Sequence, residues 1–146
     1  MQTIKIDDHS GDYLNRVDAA LDKAMEDIGI HIEGEAKEEI ENSPARLDTG
    51  LLRNSIAYAV DGEATNISTY SGDNPSKYGN KGIPSGSYSG NAPKENGGRS
   101  VIIGSNVEYA LYVHEGTSKM TANRFLKNAV ERNKDQIHKI LEDALT

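Results

Sequence analysis

Four histidines, His9, His31, His114 and His138, are the side chains best suited to move a proton or hold a metal near neutral pH. His31 and Glu35 have the i, i+4 spacing that lets two side chains share a cation on one helical turn. Two ligands do not make a site, and the Glu- and Lys-rich surroundings of His31 point to a solvated face. His114-Glu115 falls beside an expected helix end, where an imidazole pairs with free carbonyls. Nucleophiles fare no better. The chain has no cysteine, and neither Ser85-Gly86-Ser87 nor Ser105 sits in the strand-turn-helix elbow that a hydrolase serine needs. The glycines of residues 71–98 lack the fixed spacing to Lys and Ser or Thr that cradles a phosphate.

One triplet does suggest catalysis. Asp48-Thr49-Gly50 are the three residues that carry the catalytic carboxylate of aspartic proteases. A short enzyme of that kind works as a dimer with one triplet per chain, and Ile102-Ile103-Gly104 resembles its later apolar-apolar-glycine element. A dimeric aspartic protease is therefore one alternative reading; a generic soluble protein-interaction module is another. The protease reading requires the triplet at a strand end in an all-β chain. Here a helical pattern and Pro44 come before it and Leu51-Leu52-Arg53-Asn54-Ser55 after it. The triplet reads instead as a short turn capped by Asp48 or Thr49. No catalytic, cofactor-binding or metal-binding residue is assigned, and no cofactor is expected.

The elements that would position these residues follow from composition and periodicity. A chain of 146 residues, 36% apolar and only 5% aromatic, forms one small domain (1–146) whose core is aliphatic around Phe125. No stretch approaches the roughly 20 apolar residues of a membrane span, and the opening MQTIKIDDHSGDY lacks a basic region and an apolar signal core. Residues 1–43 carry four basic and twelve acidic side chains, so the remainder sums to +1 of the total of −7. So acidic a chain is a poor general ligand for a nucleic-acid backbone, which favours protein partners.

After an amino-terminal arm (1–11), residues 12–42 read as one long amphipathic helix: Leu14, Val17, Leu21, Ala24, Ile28, Ile32, Ala36 and Ile40 recur at three- and four-residue steps. Gly29 and Gly34 predict a bend or a close packing contact. Ser43-Pro44 ends the helix. Ile56 to Val60 and Thr65 to Tyr70 alternate as strands about an Asp61-Gly62 turn and predict a hairpin.

Residues 71–98, with seven glycines, three prolines and Tyr78 and Tyr88 among polar residues, have neither period and read as a flexible insertion loop. Its Lys77, Lys81, Lys94 and Arg99 outnumber Asp73 and Glu95, which suits an arm that docks on an acidic neighbour such as the first helix of the next subunit. Tyr78 and Tyr88 are the expected subunit contacts, because isolated tyrosines offer contact area at low entropic cost. Val101 to Gly104 is a short apolar strand. Val107 to Gly116 gives one or two helical turns closed by Gly116 in the left-handed region. Residues 123–145 form the last amphipathic helix. The fold class is α+β: a small antiparallel sheet packed on one side against a long N-terminal helix and a C-terminal helix, with a long Gly/Ser/Tyr-rich loop.

Three blocks in this order, PARLDTGLLRNSI, SVIIGSNVEYALYVHEGT and ANRFLKNAV, resemble the tail-completion or neck protein family of long-tailed bacteriophages, also described as minor tail or minor capsid proteins. The resemblance spans roughly residues 35–130. Pro44, Asp48, Thr49, Gly50, Leu52, Arg53 and Ser55 fit the first block, Tyr109, Ala110, Val113, Gly116 and Thr117 the second, and Phe125, Leu126 and Ala129 the third. Arg124 departs from the proline usual before the phenylalanine, and His114-Glu115 from the usual Glu-Phe. The resemblance implies a non-enzymatic virion component at the head-tail junction, assembled in the host cytoplasm. It implies a homo-oligomeric ring, sixfold or twelvefold, that contacts neighbouring neck and tail proteins and, in passing, the DNA in its channel.

Overall fold

The computed structural model describes residues 3–5, 10–41, 49–61, 68–74, 86–92, 99–107, 110–118 and 121–146; for 49–51, 72–74 and 86–89 it describes the backbone alone. The fold is α+β, as the periodicity predicts. Its first element is the 32-residue helix α1, Ser10–Glu41. Five of its buried residues, Ala24, Ile28, Ile32, Ala36 and Ile40, lie four apart. With 3.6 residues per turn such a stripe drifts around the helix by about 40° per step, so successive turns meet different neighbours. Met25 packs against Tyr58 and Val60, as do Val101 and Ile103. From Ile28 to Ile40 the stripe joins Leu52, Ile56, Phe125 and Ala129 in the main core.

Gly29 is where the expected close contact occurs. A Cβ there would lie 2.4 Å from Cδ2 of Tyr58, so the helix backbone itself forms the floor under the ring. At Gly34 a Cβ would meet nothing within 4 Å, and that glycine makes no such contact.

Helix α2, Thr49–Ser55, leads into strand β1, Ala57–Val60, whose four residues are all buried. The described strand partner of β1 is a long-range one. β1 runs antiparallel to β4, Val101–Gly104, in the register Ala57↔Gly104 to Val60↔Val101. A strand buried throughout needs an apolar neighbour, and Val101-Ile102-Ile103 supplies one. Of the predicted hairpin, the described Ser68 meets β1: its N–H donates to the Tyr58 carbonyl at 2.9 Å and its Oγ accepts from the Tyr58 N–H at 2.5 Å. Gly62 and residues 63–67 lie outside the described residues.

Within 71–98, read as a flexible loop, residues 71–74 and 86–91 are strand, while 75–85 and 93–98 lie outside the described residues. β2, Thr69–Asn74, pairs antiparallel with β3, Gly86–Asn91, from Thr69↔Asn91 to Asn74↔Gly86. Ladder bonds need only backbone, so Ser, Gly and Asn can pair without the apolar alternation that marks a strand in sequence. Tyr70, directly opposite Gly90, lays its ring where a Cβ of residue 90 would stand, its Oη 2.8 Å from that point. The glycine is what lets the ring cover the ribbon.

Helix α3, Ala110–Glu115, ends at Gly116, whose φ of 80° confirms the expected left-handed closure. The C-terminal helix is two segments, α4 (Phe125–Arg132) and α5 (Lys134–Leu145). Asn133 divides them: its N–H turns to Val130 O at 3.3 Å, and its side-chain Nδ2 takes the Ala129 carbonyl at 2.7 Å that the helix would otherwise have used. Both segments pack chiefly on α1. Helix α1 covers the sheet face, and α4 brings Phe125 and Ala129 into the core against which Val101 and Ile103 of β4 pack, as expected of the α+β fold.

Candidate functional site

The residues singled out in the sequence gather at two junctions and one exposed surface. At the first junction Ser55, fully buried, donates from Oγ to Leu52 O at 2.7 Å. Its single proton is thereby used, so the 2.5 Å contact with Ser105 Oγ has Ser105 as donor. Ser105 in turn accepts from the Val107 N–H at 3.2 Å. This chain of hydroxyls ties the end of α2 to the chain leaving β4. Among the described residues no imidazole or carboxylate hydrogen-bonds to either hydroxyl; the pair links two segments of backbone. Arg53 pairs with Glu41 and so ties α2 to the end of α1.

At the second junction α3 meets α4. The Gly116 N–H closes on Tyr112 O at 2.8 Å, and the Asn123 N–H takes Val113 O at 2.8 Å, so two end carbonyls of α3 are satisfied by backbone. The His114 ring bonds to Lys127 and Glu115 and not to an end carbonyl of its helix as the sequence suggests. Its Nε2 accepts from the Lys127 N–H at 3.4 Å, in the first turn of α4. Nδ1 must then carry the proton that goes to Glu115 Oε1 at 2.7 Å. The ring stands edge-on to Phe125, centroids 5.2 Å apart. The bond from His114, with Arg124 3.8 Å away, holds Glu115 below the usual carboxylate range.

His31 likewise departs from a solvated face. Its Nε2 lies 3.0 Å from Asn133 Oδ1. Because Asn133 Nδ2 already donates to Ala129, Oδ1 faces the ring and Nε2 is the donor. Glu35 Oε1 is 4.0 Å from the same nitrogen. His31 thus fastens the α4–α5 break onto α1. Among the described residues no group of three His, Asp or Glu side chains is placed to hold a metal ion, and no helix is long and apolar enough to cross a membrane.

Arg99 was expected to help a basic arm reach an acidic helix of the next subunit. It reaches its own: its guanidinium pairs with Asp22 and, at 3.0 Å, with Asp18 of α1. Those two carboxylates keep it firmly protonated. Exposed apolar side chains stand on both α1 and α3. Tyr13 and Leu14 of α1 are 66% and 59% exposed, and Leu111 and Tyr112 of α3 are 65% and 58% exposed.

The three sequence blocks come together in one place. Leu52 of the first and Phe125 and Ala129 of the third are core residues, with Ala110 and Val113 of the second and Leu126 of the third packed against them. Thr49 and Gly50 open α2, a helix and not a strand end. Thr117 follows the Gly116 closure. Pro44, Asp48, Tyr78 and Tyr109, with Lys77, Lys81 and Lys94, lie outside the described residues, and of Tyr88 only the β3 backbone is described. Sequence reasoning assigned no role to Asn133, Ser105 or Ser68. For Asn133 there was a trace, the apolar gap between Val130 and Ile137; the serines left none.

Comparison of the chain with models of protein families, with curated proteins and with solved structures gives no match.

Proposed function

We propose that this chain is a non-enzymatic structural subunit of the neck of a long-tailed phage, completing the tail and joining it to the head as a homo-oligomeric ring. The observation that supports this reading is the convergence of the three resemblance blocks on one core. Residues scattered from Leu52 to Ala129 act as framework, which is what a protein whose work is to hold shape and meet neighbours requires. The chemistry-bearing groups nearby are spent internally: Ser55 and Ser105 on each other, His114 on α4, and His31 on Asn133.

A ring needs one surface to meet a different surface of the next copy. Helix α1 holds ten carboxylates against three Lys or Arg, a net charge of −7, so the rest of the chain sums to zero. An acidic rod facing a neutral body suits such a contact, with neighbouring neck and tail proteins above and below and DNA passing through the channel. The test is negative-stain imaging and sedimentation of the purified chain, together with mass spectrometry of purified virions. Rings that loosen in high salt and the presence of the chain in particles are expected. A chain absent from particles, or one that cleaves peptides and loses that activity in Asp48→Asn, would overturn the proposal.

A further inference from the structure

Among the described residues, β4 has a strand partner on one edge only, β1. Asp61 N donates to Ser100 O at 2.9 Å, one step beyond the pair Val60↔Val101. Bonded pairs alternate in an antiparallel ladder, so Ala59↔Ile102 and Ala57↔Gly104 carry the remaining bonds. The N–H and C=O groups of Val101 and Ile103 therefore point away from β1, and no described residue bonds to them. This edge is apolar, uncharged and free of proline, the features by which proteins otherwise discourage strand addition being absent. The side chains of Val101 and Ile103 are only partly buried against the core, which leaves room beside them.

The same chain carries a segment made to fill that place. Thr3-Ile4-Lys5-Ile6 alternates polar and apolar with the period of a strand. Thr3–Lys5 belong to no helix or strand here, and Ile4 is 85% exposed. The first buried residue of helix α1 is Ala24, about 21 Å along the axis from Ser10 at 1.5 Å per residue.

We propose that the open edge of β4 accepts residues 3–6 of a second copy of this chain as an added strand. Backbone bonds from the arm satisfy Val101 and Ile103, and Ile4 and Ile6, two residues apart along a strand, continue the apolar row of Val101 and Ile103 that packs beside Tyr58 and Val60. The contact is head-to-tail, arm to edge, so it propagates from copy to copy and can close into a ring. It rests on the assembly reading above and names the contact that makes the assembly.

Because the chain has no cysteine, pairing can be read by disulfide trapping. Two differently tagged full-length chains, one with Ile4→Cys and the other with Val101→Cys or Ile103→Cys, are mixed and oxidised; a disulfide between copies is expected. Ile4→Asp should weaken self-association in sedimentation velocity by about tenfold or more, the worth of one buried aliphatic side chain. Its melting temperature as a monomer should stay unchanged, since Ile4 is exposed there. Three results overturn the proposal. Rings that persist in Ile4→Asp without trapping would remove it and leave the assembly reading standing. A disulfide confined to one copy in the doubly substituted chain would make the arm its own chain's strand. A wild-type chain monomeric at every concentration would remove both.

Discussion

The two halves of α1 have similar sequence patterns and different fates. From Ala24 to Ile40 the apolar stripe is sealed beneath β1, α2, α4 and α5. From Ser10 to Lys23 the stripe continues through Leu14, Val17 and Leu21, yet none of those residues is buried. The second half is held by core packing, whereas the first is held at its inner end by the Arg99 fork on Asp18 and Asp22. Exposed ion pairs contribute little, and an isolated helix this short is marginal in water. An amphipathic period therefore reports that a face is to be covered, and not whether the cover comes from the same chain. The first half of α1 is the part of the molecule with the most to gain from a neighbour.

The largest expected contrast is between truncations on the two halves. Ile32→Ala, at a 2%-exposed position in the main core, should destabilise the monomer by about 2–5 kcal/mol in urea unfolding. Leu14→Ala should change it by less than about 0.5 kcal/mol and show its effect in self-association. Equal losses at both sites would mean that the first half is as well packed as the second. A finer contrast lies within the second half. Gly29→Ala forces a methyl group into the Tyr58 ring and should cost about 1–3 kcal/mol through overpacking. Gly34→Ala, whose Cβ enters open space, should gain about 1 kcal/mol of helix propensity. If both substitutions stabilise the helix alike, the ring does not rest on the backbone as described.

Periodicity made the large elements legible. The α1 stripe, the Gly116 closure and the apolar strand at Val101 stand where the sequence places them because each depends on local pattern. What was illegible depended on partners far along the chain. β1 pairs with β4, more than 40 residues along the chain, and no local period announces that partner. The β2–β3 ribbon escaped notice because Ser, Gly and Asn pair through backbone and carry no apolar period. At the junctions, Ser55 was recognised as part of a motif, but its partner Ser105 is separated from it by an entire sheet of chain, and nothing in either residue's neighbours announces the bond. Similarly, Arg99 was read as a cation seeking a carboxylate; only the fold decides that the carboxylates belong to its own helix.

The smallest contrast concerns alkaline pH. Burial raises the Tyr58 phenol above its usual value, and Glu26, Glu33 and Asp27 on α1 push it further in the same direction. A raised folded-state pKa means that the native chain keeps a proton the unfolded chain releases. The stabilising contribution is complete below pH 10, the ordinary phenol value, and is lost as pH rises from there through the folded-state pKa. Stability measured by urea unfolding should accordingly fall with pH above that point, and Tyr58→Phe should flatten the fall while leaving stability at neutral pH little changed. Hydrogen exchange can assign the loss to a place, since Tyr58 rests on Gly29 and the amides that open with it should be those of Ala24 to Ile40. If the amides of Ser10 to Lys23 opened in step with them, the two halves of α1 would be one cooperative unit and the contrast drawn between them would dissolve.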